Sequence, residues 1–290
     1  MSGEERRKEY EKRLQEADGF PTARISGSGK VHIQGVGTIS ISGSGQVSQD
    51  EIRISGSGKL PGGLKVKSLR CSGSVSVDGD IEAEDMSFSG SASIYGNVIA
   101  RMLSAAGSFS AHGMTKANTI EAAGSCKFYK GIEAEDTLRV AGSLRVPTDV
   151  KAKKLVELRG IFDVDGKIVT DRFEARLIRS SKPDSQVLGG IQAINVNIRK
   201  KGIGGSWILN LPFFRRLLRE GRLYTTNIIA EDRVYLENVF CDNVQGRDVT
   251  IGEGCTIRGK VSYSEAISVH PTAKLSLAPQ KTAKTGERER

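Results

Sequence analysis

In 290 residues the chain has one tryptophan, three histidines and four cysteines, and no two cysteines form a CxxC pair. Cys71, Cys126, Cys241 and Cys255 are scattered, without metal-ligand or disulfide-framework spacing, and read as small buried hydrophobes. His32, His112 and His270 stand isolated, with no acidic partner near them in sequence, so no general base for acyl transfer is evident. No run of about 18 apolar residues occurs, which excludes an expected transmembrane helix. The N-terminus has no apolar core of the kind a secretory signal needs, so cytoplasmic residence is expected. No constellation for a metal, a nucleotide or another cofactor is found. A Gly-x-Gly pattern recurs near the start, but no helix follows it to bring an N-terminus to a phosphate.

Glycine is what the chain has in abundance, 34 residues, alongside an ordinary 38% hydrophobic and 27% charged content. The glycines are periodic. Gly73, Gly90, Gly107 and Gly124 each precede a serine at a step of 17, and Gly142 and Gly160 continue at 18. Ile81-Glu82-Ala83-Glu84-Asp85 returns as Ile132-Glu133-Ala134-Glu135-Asp136, three periods later. Stacked by period, one apolar column reads Val75, Ala92, Phe109, Cys126, Leu144, Phe162, and the next reads Val77, Ile94, Ala111, Phe128, Val146, Val164. Others run Ile81, Val98, Thr115, Ile132, then Ala83, Ala100, Ala117, Ala134, and Cys71, Phe88, Ala105, Ala122, Val140, Leu158.

Within a unit the apolar spacing is two, broken at glycine, serine or an acidic pair. That pattern predicts three short strands joined by tight corners, with alternate side chains pointing inward. Seventeen or eighteen residues are too few for a helix pair but complete one coil of a three-sided parallel β-helix. The predicted fold is therefore an all-β solenoid from 24 to 198. Its core columns carry Val75, Val77, Phe88, Ile94, Phe109, Phe128, Leu144 and Phe162, and its interior is too packed for a ligand.

The flanks are less regular. Residues 1–23 read as a charged arm. Within 24–60, Ile-Ser-Gly-Ser-Gly occurs at Ile25, Ile41 and Ile54, and suits either pieces of the first coils or an imperfect cap. Residues 199–222 hold seven Lys or Arg against one acid, which is +6 of the total +9. Trp207 to Arg219 is the one stretch expected to be helical, with Asn210 as N-cap, Pro212 in the first turn and Gly221 as stop. Leu211, Phe214 and Leu218 would share its apolar face with Leu217 at its edge, and Trp207 and Phe213 are further candidate docking residues. Arg215, Arg216 and Arg219 would lie on its flank and opposite side, the composition of a helix lying on an anionic membrane or packed on the solenoid flank. Strand patterns resume over 223–278, and 279–290 reads as a disordered tail.

The repeat, the basic insertion and the closing Glu231-Asp232-x-Val234-Tyr235-Leu236-Glu237-Asn238 … Gly252-x-Gly254-Cys255 together resemble the long bactofilins of Gram-positive bacteria. That resemblance implies a right-handed β-helix that assembles end to end into nucleotide-independent filaments. It also implies a scaffold at the cytoplasmic membrane that organises cell shape, envelope or motility machinery. The polar stretch Met1 to Asp18 departs from the apolar membrane peptide found in many members of that family. A physical reason for assembly stands beside the resemblance: solenoid ends expose unpaired backbone and apolar columns, and neither end here shows an amphipathic cap in sequence. The expected partner is thus a second copy of the chain, together with an anionic membrane surface, and not nucleic acid. A monomeric β-helix adaptor is the alternative. A left-handed β-helix acyltransferase, suggested by Val249-Thr250-Ile251-Gly252-Glu253-Gly254, ranks behind both because a histidine base is missing.

Overall fold

The computed structural model describes residues 22–178, 184–200 and 220–282, and all regular structure in them is β. The expected helix over 207–219, with Trp207, Leu211, Phe213, Phe214, Arg215, Arg216, Leu218 and Arg219, lies outside the described residues, as do 1–21 and 283–290. The chain divides at Gly113/Met114 into two compact units.

Unit 1 contains β1 (Ala23–Ile33), β2 (Gly37–Val47), β3 (Glu51–Pro61), β4 (Leu64–Asp78), β5 (Ile81–Ile94) and β6 (Val98–Ala111). From β3 onward each strand lies parallel to the next at a register of one period: Glu51 beside Ser68, Leu64 beside Ile81, Ile81 beside Val98. The burial of β5 shows the three sides directly. Its buried residues come in three pairs, Ile81 and Ala83, Met86 and Phe88, Ala92 and Ile94, separated by corners at Glu84-Asp85 and Ser89-Gly90-Ser91. Each pair lines one wall of the core, and burying a larger member such as Ile81, Met86, Phe88 or Ile94 contributes about 1.5–3 kcal/mol. Gly90 needs to be glycine twice over: its φ is +128°, and a Cβ there would collide with the carbonyl oxygen of Gly73 in the coil before.

The start of unit 1 departs from the repeat. β1 and β2 are antiparallel, and so are β2 and β3, with Gly27 opposite Gly43 and Gly43 opposite Gly56. Residues 23–61 thus form a three-stranded meander folded over the same Ser-Gly-Ser corner as the coils. Of the two readings of these residues, pieces of the first coils or an imperfect cap, the antiparallel pairing departs from the first, and the reason is local. In a meander bent at one corner only two walls exist, so the interior narrows to a wedge. Ile25, Ile41 and Ile54 reach across it to Gly29, Gly45 and Gly58 on their own strands, where any Cβ would meet the isoleucine. The Ile-Ser-Gly-Ser-Gly motif is one large and one empty position on either side of a corner.

Unit 2 begins with β7 (Thr115–Phe128), β8 (Ile132–Val146), β9 (Val150–Ala152) and β10 (Leu155–Val164). The step from 17 to 18 is absorbed at a bulge between Ala117 and Thr119, where β7 meets β8. Next come β11 (Ile168–Leu177), β12 (Ser185–Val187), β13 (Ile191–Lys200) and β14 (Leu223–Thr225). They are followed by β15 (Asn227–Ala230), β16 (Arg233–Leu236), β17 (Val239–Cys241), β18 (Asn243–Ile251) and β19 (Thr256–Ile257). The last elements are β20 (Val261–Val269), β21 (Lys274–Leu275) and β22 (Gln280–Lys281). β15, β16 and β17 are the three sides of one coil as three separate strands. β22 pairs with Ser262 and Tyr263, so Gln280 and Lys281, expected in a disordered tail, belong to the solenoid.

All eight core-column residues, Val75, Val77, Phe88, Ile94, Phe109, Phe128, Leu144 and Phe162, are at most 4% exposed. The four cysteines are buried free thiols.

Candidate assembly surfaces and the clamp on the basic insertion

Three places in the two units carry unsatisfied or unusual chemistry. The first is the outer edge of unit 1. β1 pairs with β2 on one side, and on the other side its eleven residues have no strand partner among the described residues. Ile25 on it is only half-buried, and its backbone donors and acceptors along that edge have no strand partner among the described residues. Only two charged side chains, Arg24 and Lys30, guard it.

The second is the last coil of unit 2. Ile267 and Val269 of β20 stand beside Val249 and Ile251, which are 1% and 0% exposed, and so occupy inward columns. Leu275 stands in the same way beside the buried Ile257. Yet Val269 is 39% exposed, and Ile267 and Leu275 are only half-buried. β22 covers only the Ser262–Tyr263 end of this coil. Inward-pointing apolar side chains with nothing among the described residues stacked on them form an incompletely sealed end of the core.

The third is the root of the basic insertion. The corner column Gly142–Gly160 continues through register partners as Leu177 and then Lys200. Both insertions, 179–183 and 201–219, therefore leave from the corner where the repeat carries Ser-Gly-Ser. The closing coils hold the two roots of 201–219. The Lys200 N–H donates to the Glu237 carboxylate at 2.9 Å, and Lys200 Nζ reaches Glu253 at 2.5 Å. The Tyr235 hydroxyl donates to Glu237 at 2.6 Å, while the Arg199 guanidinium lies over the Tyr235 ring at 5.0 Å. On the returning side, Asn238 Nδ2 donates to Glu220 Oε2 and to the Gly221 carbonyl at 3.4 and 3.3 Å. Asn238 is buried and has φ +53°, a conformation asparagine tolerates better than most. Hydrogen bonding to Glu253 raises the pKa of Lys200, and hydrogen bonding to Glu237 raises that of Tyr235. Both groups keep their protons in the neutral range. The Glu231–Asn238 and Gly252–Cys255 motifs are thus the clamp that fixes where the insertion leaves and returns. Sequence reading singled out these residues without this role, because the partners are 37 and 53 positions apart.

The remaining polar chemistry is local. Glu82, Asp85, Glu133 and Asp136 form ion pairs with Lys65, Arg101, Lys116 and Lys154 in neighbouring coils, at 2.5–2.8 Å. Such exposed pairs contribute little each. Among the described residues no group of three or more His, Cys, Asp or Glu could hold a metal. His32 and His270 hydrogen-bond to Thr38 and Thr272, and His112 to the Ile94 carbonyl. A surface depression of about 510 Å³ is an open trough in unit 1 between Arg24, Gln46, Arg53 and Arg70 and the corner serines.

Residues 22–116, about a third of the chain, match the family model of the bactofilins, described as polymer-forming cytoskeletal. The match falls on the meander and the regular repeat, and not on the 231–255 motif. No curated protein and no solved structure matches the chain.

Proposed function

Starting from the bactofilin domain at residues 22–116, we propose that this chain is a cytoskeletal scaffold whose polymers grow by stacking of solenoid ends, without nucleotide. The single observation that carries the reading is the last coil of unit 2, where Ile267, Val269 and Leu275 hold inward columns but are only partly covered by described residues. Apolar surface of this kind is stabilised by burial at roughly 25 cal/mol per Å². Covering it with a coil-like surface of a second copy also satisfies the backbone of β20 and β21. A monomeric adaptor would leave this end open to water. Sedimentation and electron microscopy of the full chain, wild type against Val269→Lys, test the reading. Loss of large assemblies in the variant, with circular dichroism unchanged, supports it; equal assembly in both overturns the role of this end.

Membrane association belongs to the same reading as its second element. The clamp at Lys200 and Glu220 fixes the two roots of a segment with an apolar set, Trp207, Leu211, Phe213, Phe214 and Leu218, and a basic set, Arg215, Arg216 and Arg219. That composition suits the inner face of an anionic membrane, where each cation near the surface contributes about 1 kcal/mol. A polymer multiplies weak contacts into avidity, so modest affinity per subunit is enough to place a scaffold there. From such a site the polymer would organise envelope, shape or motility machinery. Wild type is expected to co-sediment with anionic vesicles and a Trp207→Ala/Phe214→Glu variant to stay in solution. Equal pelleting would remove the segment from the account.

A further inference from the structure

The outward row that crosses the open trough of unit 1 is built unlike the rest of the solenoid surface. In the regular coils a surface cation faces an acid one coil away: Lys65 stands beside Glu82, Lys116 beside Glu133 and Arg139 beside Glu157, with ion pairs of 2.8, 2.8 and 3.4 Å. The row in the trough instead reads Arg24, Gln46, Arg53, Arg70, Ser87 through successive register partners on β1 to β5. Arg53 and Arg70 stand directly opposite each other, an arrangement that opposes strand pairing unless something neutralises it. Glu51 takes the inner nitrogen of Arg53, Nε, at 2.6 Å, and among the described residues no acid pairs with Arg24 or Arg70.

The opposite bank of the trough is a second row of donors. Ser44, Ser55, Ser72 and Ser89 are register partners in turn, and all four are exposed. Between the banks runs the inward column Ile25, Gly45, Ile54, Cys71. Across β1 to β5, four steps of about 4.8 Å make each bank about 19 Å long.

We propose that this trough binds a linear phosphate-bearing polyanion of the inorganic polyphosphate kind, laid along Arg24, Arg53 and Arg70. A single small anion reaches one part of such a row, whereas a chain with a charge at every short step neutralises all of it. Donors come from both banks, guanidinium and amide N–H on one and hydroxyl on the other. The tetrahedral oxygens of phosphate accept from two sides at once, where a carboxylate offers two oxygens in one plane. No aromatic residue lines the trough, so the bases of a nucleic acid would find no stacking surface there. The contact is charge against charge on an open surface, and it weakens as salt rises.

The test is fluorescence anisotropy of the full chain with an end-labelled linear polyphosphate, using inorganic phosphate, polyglutamate and oligothymidylate as competitors. The wild type is expected to bind the chain, and inorganic phosphate to compete only when its phosphate groups are in at least about tenfold excess. Gln46→Glu places a carboxylate between Arg24 and Arg53 in the row. It should weaken binding by about tenfold or more while the thermal midpoint holds or rises, because the added acid faces two cations. Arg70→Ser, which repeats the residue that Ser87 supplies one coil on, should weaken binding likewise. Lys153→Ser, an equal loss of charge at an exposed position outside the trough, should leave it unchanged. Undiminished binding by Gln46→Glu and Arg70→Ser, or an equal loss in Lys153→Ser, would overturn the site. Polyglutamate or oligothymidylate competing as well as unlabelled polyphosphate would overturn the ligand class. Anionic vesicles are the last arm: Gln46→Glu should pellet with them as the wild type does. A loss of pelleting there, with no polyphosphate bound by the wild type, would hand the trough to a lipid surface instead.

Discussion

At the scale of single residues the solenoid interior is consistent enough that its exceptions are informative. Thr115 is 0% exposed beside Ile132, and its hydroxyl has no hydrogen-bond partner. An unpaired buried hydroxyl costs about 1–3 kcal/mol, so Thr115→Val, which keeps the shape, should raise the thermal midpoint. A lower midpoint would mean that the hydroxyl is satisfied in solution. The thiols are exceptions of another sort. Burial pushes Cys126 and Cys255 up to about 11, from 9.0. A group whose pKa is raised on folding contributes stability that is complete below its unfolded value and lost as pH rises toward its folded one. These two cysteines should therefore make the protein less stable between about pH 9 and 11. A Cys126→Ala/Cys255→Ala variant should lose stability less steeply over that window in denaturant titrations. Equal slopes would contradict the assignment.

At the scale of elements, most of the solenoid was legible because period and burial coincide. A step of 17 with inward residues at spacing two allows three walls and little else, and the phenylalanine columns at Phe88, Phe109, Phe128 and Phe162 stay in phase through to the core. The meander was less legible. Ile-Ser-Gly-Ser-Gly looks like a weakened repeat, since glycine stands where Val75 or Ala92 stands in the coils. Its meaning depends on a wedge that exists only once the strands are antiparallel. The clamp was invisible for a different reason. Lys200, Glu237, Asn238, Glu220 and Glu253 are brought together by coil stacking after an insertion has changed the period, so no local spacing relates them. That element carries its own prediction. Asn238→Ala removes two donors to the returning root and places an alanine at φ +53°. It should cost about 1–3 kcal/mol and speed hydrogen exchange at 220–225 and 238–241. Unchanged exchange there would show that the roots are held by other contacts.

At the scale of the molecule, a solenoid coil satisfies its backbone by stacking on neighbours, so the ends decide what it does. Each unit carries one end that is incomplete in a different sense. In unit 1 the outer edge of β1 has no strand partner among the described residues; in unit 2 the apolar columns of β20 and β21 are only partly covered by described residues. Strand edges and uncovered apolar columns are what soluble monomers avoid, and they suit a polymer-forming family. The measurement that tests this most directly is negative-stain electron microscopy of the purified full chain in nucleotide-free buffer, alongside Val269→Lys. The account predicts filaments for the wild type and loss of filaments for the variant. A monodisperse wild-type species near the 31.2 kDa chain mass would contradict it.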